Sequence, residues 1–158
     1  MPDTRSHHCP DAEAQQAFGA VLAGCCPAGC IIHLQGDLGA GKTTLVRGFL
    51  QGRGHQGPVR SPTYTLIEPY ELATGTVYHL DLYRLGDPEE LEYLGLRDLL
   101  GGEATLLIEW PEQGTGWLPL PDLGLQIVHL PVGRDIRITP LSERGRLVCD
   151  CLLRSLPG

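Results

Sequence analysis

The chain has 158 residues, 42% of them hydrophobic and 20% charged, which suits one globular domain able to bury a core without metal or disulfide staples. Its net charge is −7 and its arginines are dispersed, which excludes a surface that grips nucleic acid by neutralising phosphates. No apolar run approaches a membrane span, and residues 1–10 lack the basic-then-apolar form of a signal peptide, so a cytoplasmic protein with no membrane partner is expected.

Along the chain, residues 1–10 read as a flexible, frayed terminus and residues 11–158 as a single domain. Asp11 can cap a first helix to about residue 23, with Phe18, Val21 and Leu22 facing inward. The turn around Pro27 and Gly29 precedes a buried strand, Cys30-Ile31-Ile32-His33-Leu34, then a glycine-rich loop, then a helix that stops at Gly52 to Gly54. Residues 59–67 read as a strand because Pro62 excludes helix and β-branched and aromatic residues follow it. A turn near residues 73–75 returns the chain as residues 76–83, an antiparallel hairpin that puts His79, Asp81 and Tyr83 on one side. Asp87-Pro88-Glu89-Glu90 opens a helix with a capping box, expected to run to Gly101-Gly102. A buried strand over residues 104–108 ends in Glu109. An irregular stretch leads to a second hairpin, residues 125–130 and 135–139, and Ser142 can cap a last helix. The mixture of hairpin and crossover strands predicts an α/β three-layer sandwich with a mixed parallel/antiparallel central sheet around a phosphate-loop core. The six cysteines form no C-x-x-C pair and are expected to stay thiols.

The glycine-rich loop carries the chemistry. Gly36-Asp37-Leu38-Gly39-Ala40-Gly41-Lys42-Thr43 matches G-x-x-x-x-G-K-[ST] at every fixed position. Glycines let successive N–H groups turn toward one anion, and the following helix, starting at Thr44, adds the positive end of its dipole. Lys42 can reach the β- and γ-phosphates, and the Thr43 hydroxyl is placed for Mg²⁺. Lys42 is also the only lysine among 12 basic residues, kept where a compact, flexible charge is needed. A nucleotide hydrolase needs a further acidic group near the metal. Glu109 and Asp81 are the candidates; either could bind the ion directly, act through a water, or orient the attacking water. Thr63 could sense the γ-phosphate or only stabilise a turn. Trp110 could cover the nucleotide or a partner surface, or simply pack. Arg84 could neutralise transition-state charge, or pair with Asp81 or Glu89.

These residues, together with Ser61-Pro62-Thr63-Tyr64-Thr65-Leu66, residues 79–85 and 87–95, and Ile108-Glu109-Trp110-Pro111-Glu112, stand in the order and spacing of the TsaE (YjeE) family, which the chain resembles over about residues 11–157. The resemblance implies a bacterial ATPase of tRNA threonylcarbamoyladenosine synthesis. Its members bind and slowly hydrolyse ATP with Mg²⁺, and they act with the TsaB–TsaD heterodimer, which modifies adenosine 37 of tRNA. The tRNA is met only through that complex. By the same resemblance Lys42 would neutralise phosphate charge and Thr43 with Glu109 would hold Mg²⁺. Asp81 would support the metal or the water, Thr63 would be switch-like, and Trp110 would matter for activity or docking. The chain departs from the family at Ala14-Gln15, where members often carry an acidic-Thr pair on the adenine side of the pocket.

Two other classes stand beside this reading. A small phosphate-loop kinase would need an arginine-bearing lid, for which only Arg53 with Arg60, or Arg144 with Arg146, are available. A guanine-nucleotide switch would need asparagine in its base-reading signature, and the chain has none.

Overall fold

The computed structural model describes residues 3–100 and 102–157. Among these, seven strands form one sheet: β1 (Arg5–Cys9), β2 (Ile31–Gln35), β3 (Ile67–Leu72), β4 (Gly75–Asp81), β5 (Thr105–Glu109), β6 (Leu123–His129) and β7 (Arg134–Pro140), in the order β1-β7-β6-β2-β5-β4-β3. The four central strands, β6, β2, β5 and β4, are parallel. Antiparallel partners close both sides, β7 then β1 on one and β3 on the other. The pairs β3–β4 and β6–β7 are antiparallel because short turns join them, whereas β4 and β5 run parallel because the chain between them crosses over through helical residues 90–99.

Strand alternation sorts the core into two layers. Ile32, Leu34 and Leu107 pack with Phe18, Leu45, Phe49 and Leu152 from α1 (Ala12–Cys25), α2 (Lys42–Gly52) and α5 (Glu143–Ser155). On the opposite face Leu80, Leu106 and Ile108 pack with Leu91 and Leu96 from two short helices, α3 (Glu90–Tyr93) and α4 (Leu96–Leu99). The sheet is thus the middle of three layers, as expected. Two of the three caps fall where the sequence puts them. Asp11 Oδ1 accepts from the Ala14 amide at 2.8 Å and Ser142 Oγ from the Gly145 amide at 2.9 Å. At the third, Glu90 Oε1 accepts from the Asp87 amide at 3.2 Å and Asp87 Oδ1 from the Glu89 amide at 3.0 Å, but these bonds close a turn ahead of the helix, which starts at Glu90 with Glu89 and not Asp87 at its N-cap position.

Helices α1 and α2 touch backbone to backbone. A Cβ on Gly48 would stand 1.9 Å from the Gln16 carbonyl oxygen, and one on Gly19 2.1 Å from that of Leu45. Neither obstacle is a flexible side chain, so the helices would have to separate. Gly48→Ala is expected to cost about 3 kcal/mol, read as a lower urea midpoint with an unchanged slope. A stability equal to that of the wild type would show that the helices are not in contact there.

Four other expectations need correction. Residues 5–9 do not fray: β1 pairs antiparallel with β7 from Arg5↔Ile138 to Cys9↔Arg134, and Cys9 is fully buried. Pairing with an otherwise open edge outweighs the polar side chains, which stay mostly exposed. The strand predicted from residue 59 begins only at Ile67. Before it Leu66 holds a left-handed φ of 68° and its amide donates to the Pro62 carbonyl at 2.7 Å. The helix expected up to Gly101-Gly102 breaks into α3 and α4 at Gly95, whose φ of 78° ends the first helical segment; Gly101 itself lies outside the described residues. Finally, Cys25 at the end of α1 and Cys151 on α5 form a disulfide with Cα atoms 5.7 Å apart, a separation suited to such a bond. Cys9, Cys26, Cys30 and Cys149 are thiols. Burial, then the carboxylates of Asp11 and Asp135, push the Cys9 thiol up to about 11.

Candidate functional site

The parallel register of the central strands builds the site. β2 runs into the phosphate loop, and Leu34 near its end pairs with Glu109 at the end of β5; Glu109 in turn pairs with Asp81 at the end of β4. Both carboxylates are thereby delivered to the carboxyl edge of the sheet, beside the N-terminus of α2, the usual ligand crevice of an open α/β sheet. A cleft of about 620 Å³ opens there. Leu38, Gly39, Gly41, Lys42, Thr43 and Thr44 from the loop and the start of α2 form one wall. Thr63, Asp81, Glu109 and Trp110, with Ser61, Tyr83 and Arg84, form the other.

Each charged group in the cleft is held by specific partners. Lys42 is buried at 5% exposure, and its Nζ donates to the Gly36 carbonyl and, at 3.0 Å, to that of Asp37. The ammonium also lies 4.3 Å from the centroid of the Trp110 ring, whose left-handed φ of 56° turns the indole back over the loop. Burial lowers the Lys42 pKa, and the carboxylates of Glu109 and Asp81 oppose that shift. Asp81 Oδ2 accepts from Ser61 Oγ at 3.2 Å and Thr63 Oγ1 at 3.5 Å, and Oδ1 from the Tyr83 amide at 3.0 Å. Asp81 therefore ties the 61–65 turn to the sheet. His79 Nε2–H donates to Glu109 Oε2 at 2.5 Å, with both side chains buried. Arg84 rests over the Tyr64 ring at 4.7 Å.

The donor set suits a hard, oxygen-seeking cation. Among the described residues no cluster of three or more His, Cys, Asp or Glu side chains could enclose a metal by itself. Mg²⁺ commonly takes only one or two protein carboxylates and fills its shell with water and phosphate oxygens. The Thr43 hydroxyl and the Glu109 carboxylate, whose second oxygen has no hydrogen bond among the described residues, fit that pattern.

Comparison with known proteins agrees with this geometry. A family model described as "Threonylcarbamoyl adenosine biosynthesis protein TsaE" matches residues 9–136. The chain belongs to the TsaE family. The tRNA threonylcarbamoyladenosine biosynthesis protein TsaE of Haemophilus influenzae is 52% identical over 116 residues, covering 73% of each chain. The protein of the same name from Bacillus subtilis is 38% identical over 149 residues, covering 90% of this chain and 89% of its own. The crystal structure of Bacillus subtilis YdiB superposes with a TM-score of 0.82 at 30% identity, covering 98% of this chain and 97% of its own.

Of the TsaE-type residues expected from the sequence, Gly36, Asp37 and Ala40 lie outside the cleft lining. The first two turn their carbonyls to Lys42, and Ala40 is buried at the back of the loop. The others named for phosphate, metal or switch roles face the cleft. Sequence reasoning missed three contributors. His79 was placed beside Asp81 by strand alternation, yet its partner is Glu109 on the adjacent strand. Ser61 shares Asp81 with Thr63, a pairing that needed the turn to be seen. Gln15 does not present its amide to a ligand at all, because Nε2 donates to the Ala40 and Gly41 carbonyls at 3.0 and 2.8 Å.

Proposed function

We propose that this chain binds ATP with Mg²⁺ in the 620 Å³ cleft and hydrolyses it slowly. It would serve threonylcarbamoyladenosine formation at position 37 of tRNA as a partner of a TsaB–TsaD heterodimer. The observation that carries this is the meeting of Lys42 and Thr43 with Asp81 and Glu109 in one cleft at the carboxyl edge of the sheet. Main-chain N–H groups from Gly39 to Thr44 receive the phosphates, and Lys42 exchanges its carbonyl partners for phosphate oxygens. Thr43 and Glu109 hold Mg²⁺, which when bound offsets charge on the phosphate oxygens. Asp81 keeps the Thr63 turn beside the γ-phosphate position. The net charge of −7 agrees with docking on proteins, so that tRNA is met only through the complex.

A kinase that passes the γ-phosphate to a small acceptor finds less support, since one arginine of each candidate lid pair is engaged elsewhere. Arg53 donates to the Ala23 and Cys26 carbonyls at 3.0 and 2.9 Å, and Arg144 lies 4.0 Å from Asp122. The deciding experiment measures ATP turnover by the chain alone, then with TsaB–TsaD and tRNA, then with small acceptors. Turnover well below the roughly 1–100 s⁻¹ of kinases, raised at least about tenfold by the heterodimer and tRNA, is the expected result. Fast turnover alone, or ADP formation that depends on a small acceptor, would overturn it.

A further inference from the structure

A trans peptide unit is planar, so each carbonyl oxygen points away from the N–H of the residue that follows. A loop that turns N–H groups toward an anion must therefore turn the preceding carbonyls outward. Where those oxygens are buried, something has to receive them. At the end of this phosphate loop a single side chain does so. The two hydrogens of the Gln15 amide match its two acceptors, the Ala40 carbonyl at 3.0 Å and the Gly41 carbonyl at 2.8 Å. Gln15 is 3% exposed, so water does not compete for these bonds.

The surroundings fix the glutamine from both sides. Asp11 caps α1 through the Ala14 amide, immediately before Gln15. The Gly41 carbonyl also accepts the Leu45 amide at 3.0 Å, the bond that begins α2. Gly41 has a φ of 97°, and a Cβ there would stand 2.3 Å from Gln15 Nε2. The glutamine thus fills the space that the absent side chain leaves.

We propose that Gln15 is a positioning residue of the phosphate site. By holding the Ala40 and Gly41 carbonyls behind the loop, it aims the N–H groups of Gly41 and Lys42 into the cleft before any anion arrives. The role rests on reading the cleft as a nucleotide-phosphate site and assigns the glutamine to the loop, not to the base.

The test uses the full chain with Gln15→Glu, which keeps the shape but sets a carboxylate against two carbonyls, and Gln15→Met, which removes both donors. Should the glutamate variant fail to fold, the methionine variant carries the same measurements. Leu152→Val, in α5 and not among the residues lining the cleft, serves as a control for general loss of stability. Without nucleotide, hydrogen exchange of the Leu45 amide, which is bonded to the Gly41 carbonyl at 3.0 Å, is expected to quicken about tenfold in the Gln15 variants. The dissociation constant for magnesium–ATP should rise by a similar factor, with turnover at saturation changed less than about threefold. The control should move neither amide exchange nor affinity. Unchanged exchange, unchanged affinity, or equal effects in the control would each overturn the proposal. Failure of the wild-type chain to bind magnesium–ATP would overturn the nucleotide reading itself, and it is separable because it appears before any variant is made.

Discussion

Replacing Lys42 by alanine is expected to lower ATP turnover by about a hundredfold to a thousandfold while leaving the fold intact. The side chain is buried, so its loss is not silent: the Gly36 and Asp37 carbonyls lose a donor and Trp110 loses the cation beneath its ring. Both carbonyls lie in an open-sided loop that water can enter, which limits the loss of stability to about 1–2 kcal/mol. Turnover suffers far more, because a mobile ammonium is the group that can leave the carbonyls and follow charge onto the γ-phosphate. Lys42→Arg should also fail, by at least about tenfold. A planar guanidinium cannot reproduce a point charge between two carbonyls and an indole. Paired measurements of turnover and thermal melting check this. An alanine variant that is unfolded, or one that turns over like the wild type, would contradict it.

The parts legible in the sequence were those written in local chemistry. Asp11 and Ser142 announce helix starts because a cap is a contact across three residues. The strand, loop and helix around Lys42 announce a phosphate site because its spacing lies within one stretch of chain. Glu109 was legible as the acidic end of an apolar strand. What escaped depends on distant partners. β1 consists of polar residues whose reason for order is the β7 edge, more than a hundred residues away. Cys25 and Cys151 are 126 positions apart, and no spacing rule joins them. Gln15 lies on a helix face that reads as half polar, and its bonds to the Ala40 and Gly41 carbonyls appear only once α1 is laid against the loop. Gly95 was legible as a glycine but not as a break, since an isolated glycine can be carried within a helix and only its φ decides.

Glu109→Gln is expected to remove most of the magnesium dependence of ATP binding and to cut turnover about a hundredfold, with the fold unchanged. Glutamine has the shape of glutamate and can still accept from His79 Nε2, so the buried pair survives while the negative charge facing the cleft is lost. Glu109→Ala should behave differently. It leaves His79 fully buried with Nε2 stranded as well as Nδ1, which already has no partner among the described residues. That variant should lose about 1–3 kcal/mol of stability in addition to activity. Asp81→Asn gives the contrast. Both Asp81 oxygens are occupied by Ser61, Thr63 and the Tyr83 amide, so its loss should loosen the 61–65 turn and lower turnover, with a smaller effect on magnesium affinity. Calorimetric titration of ATP with and without Mg²⁺ separates the two carboxylates. If Asp81→Asn abolished the magnesium dependence and Glu109→Gln kept it, the metal would belong to β4, and the His79–Glu109 pair would be a structural bond of the sheet interior.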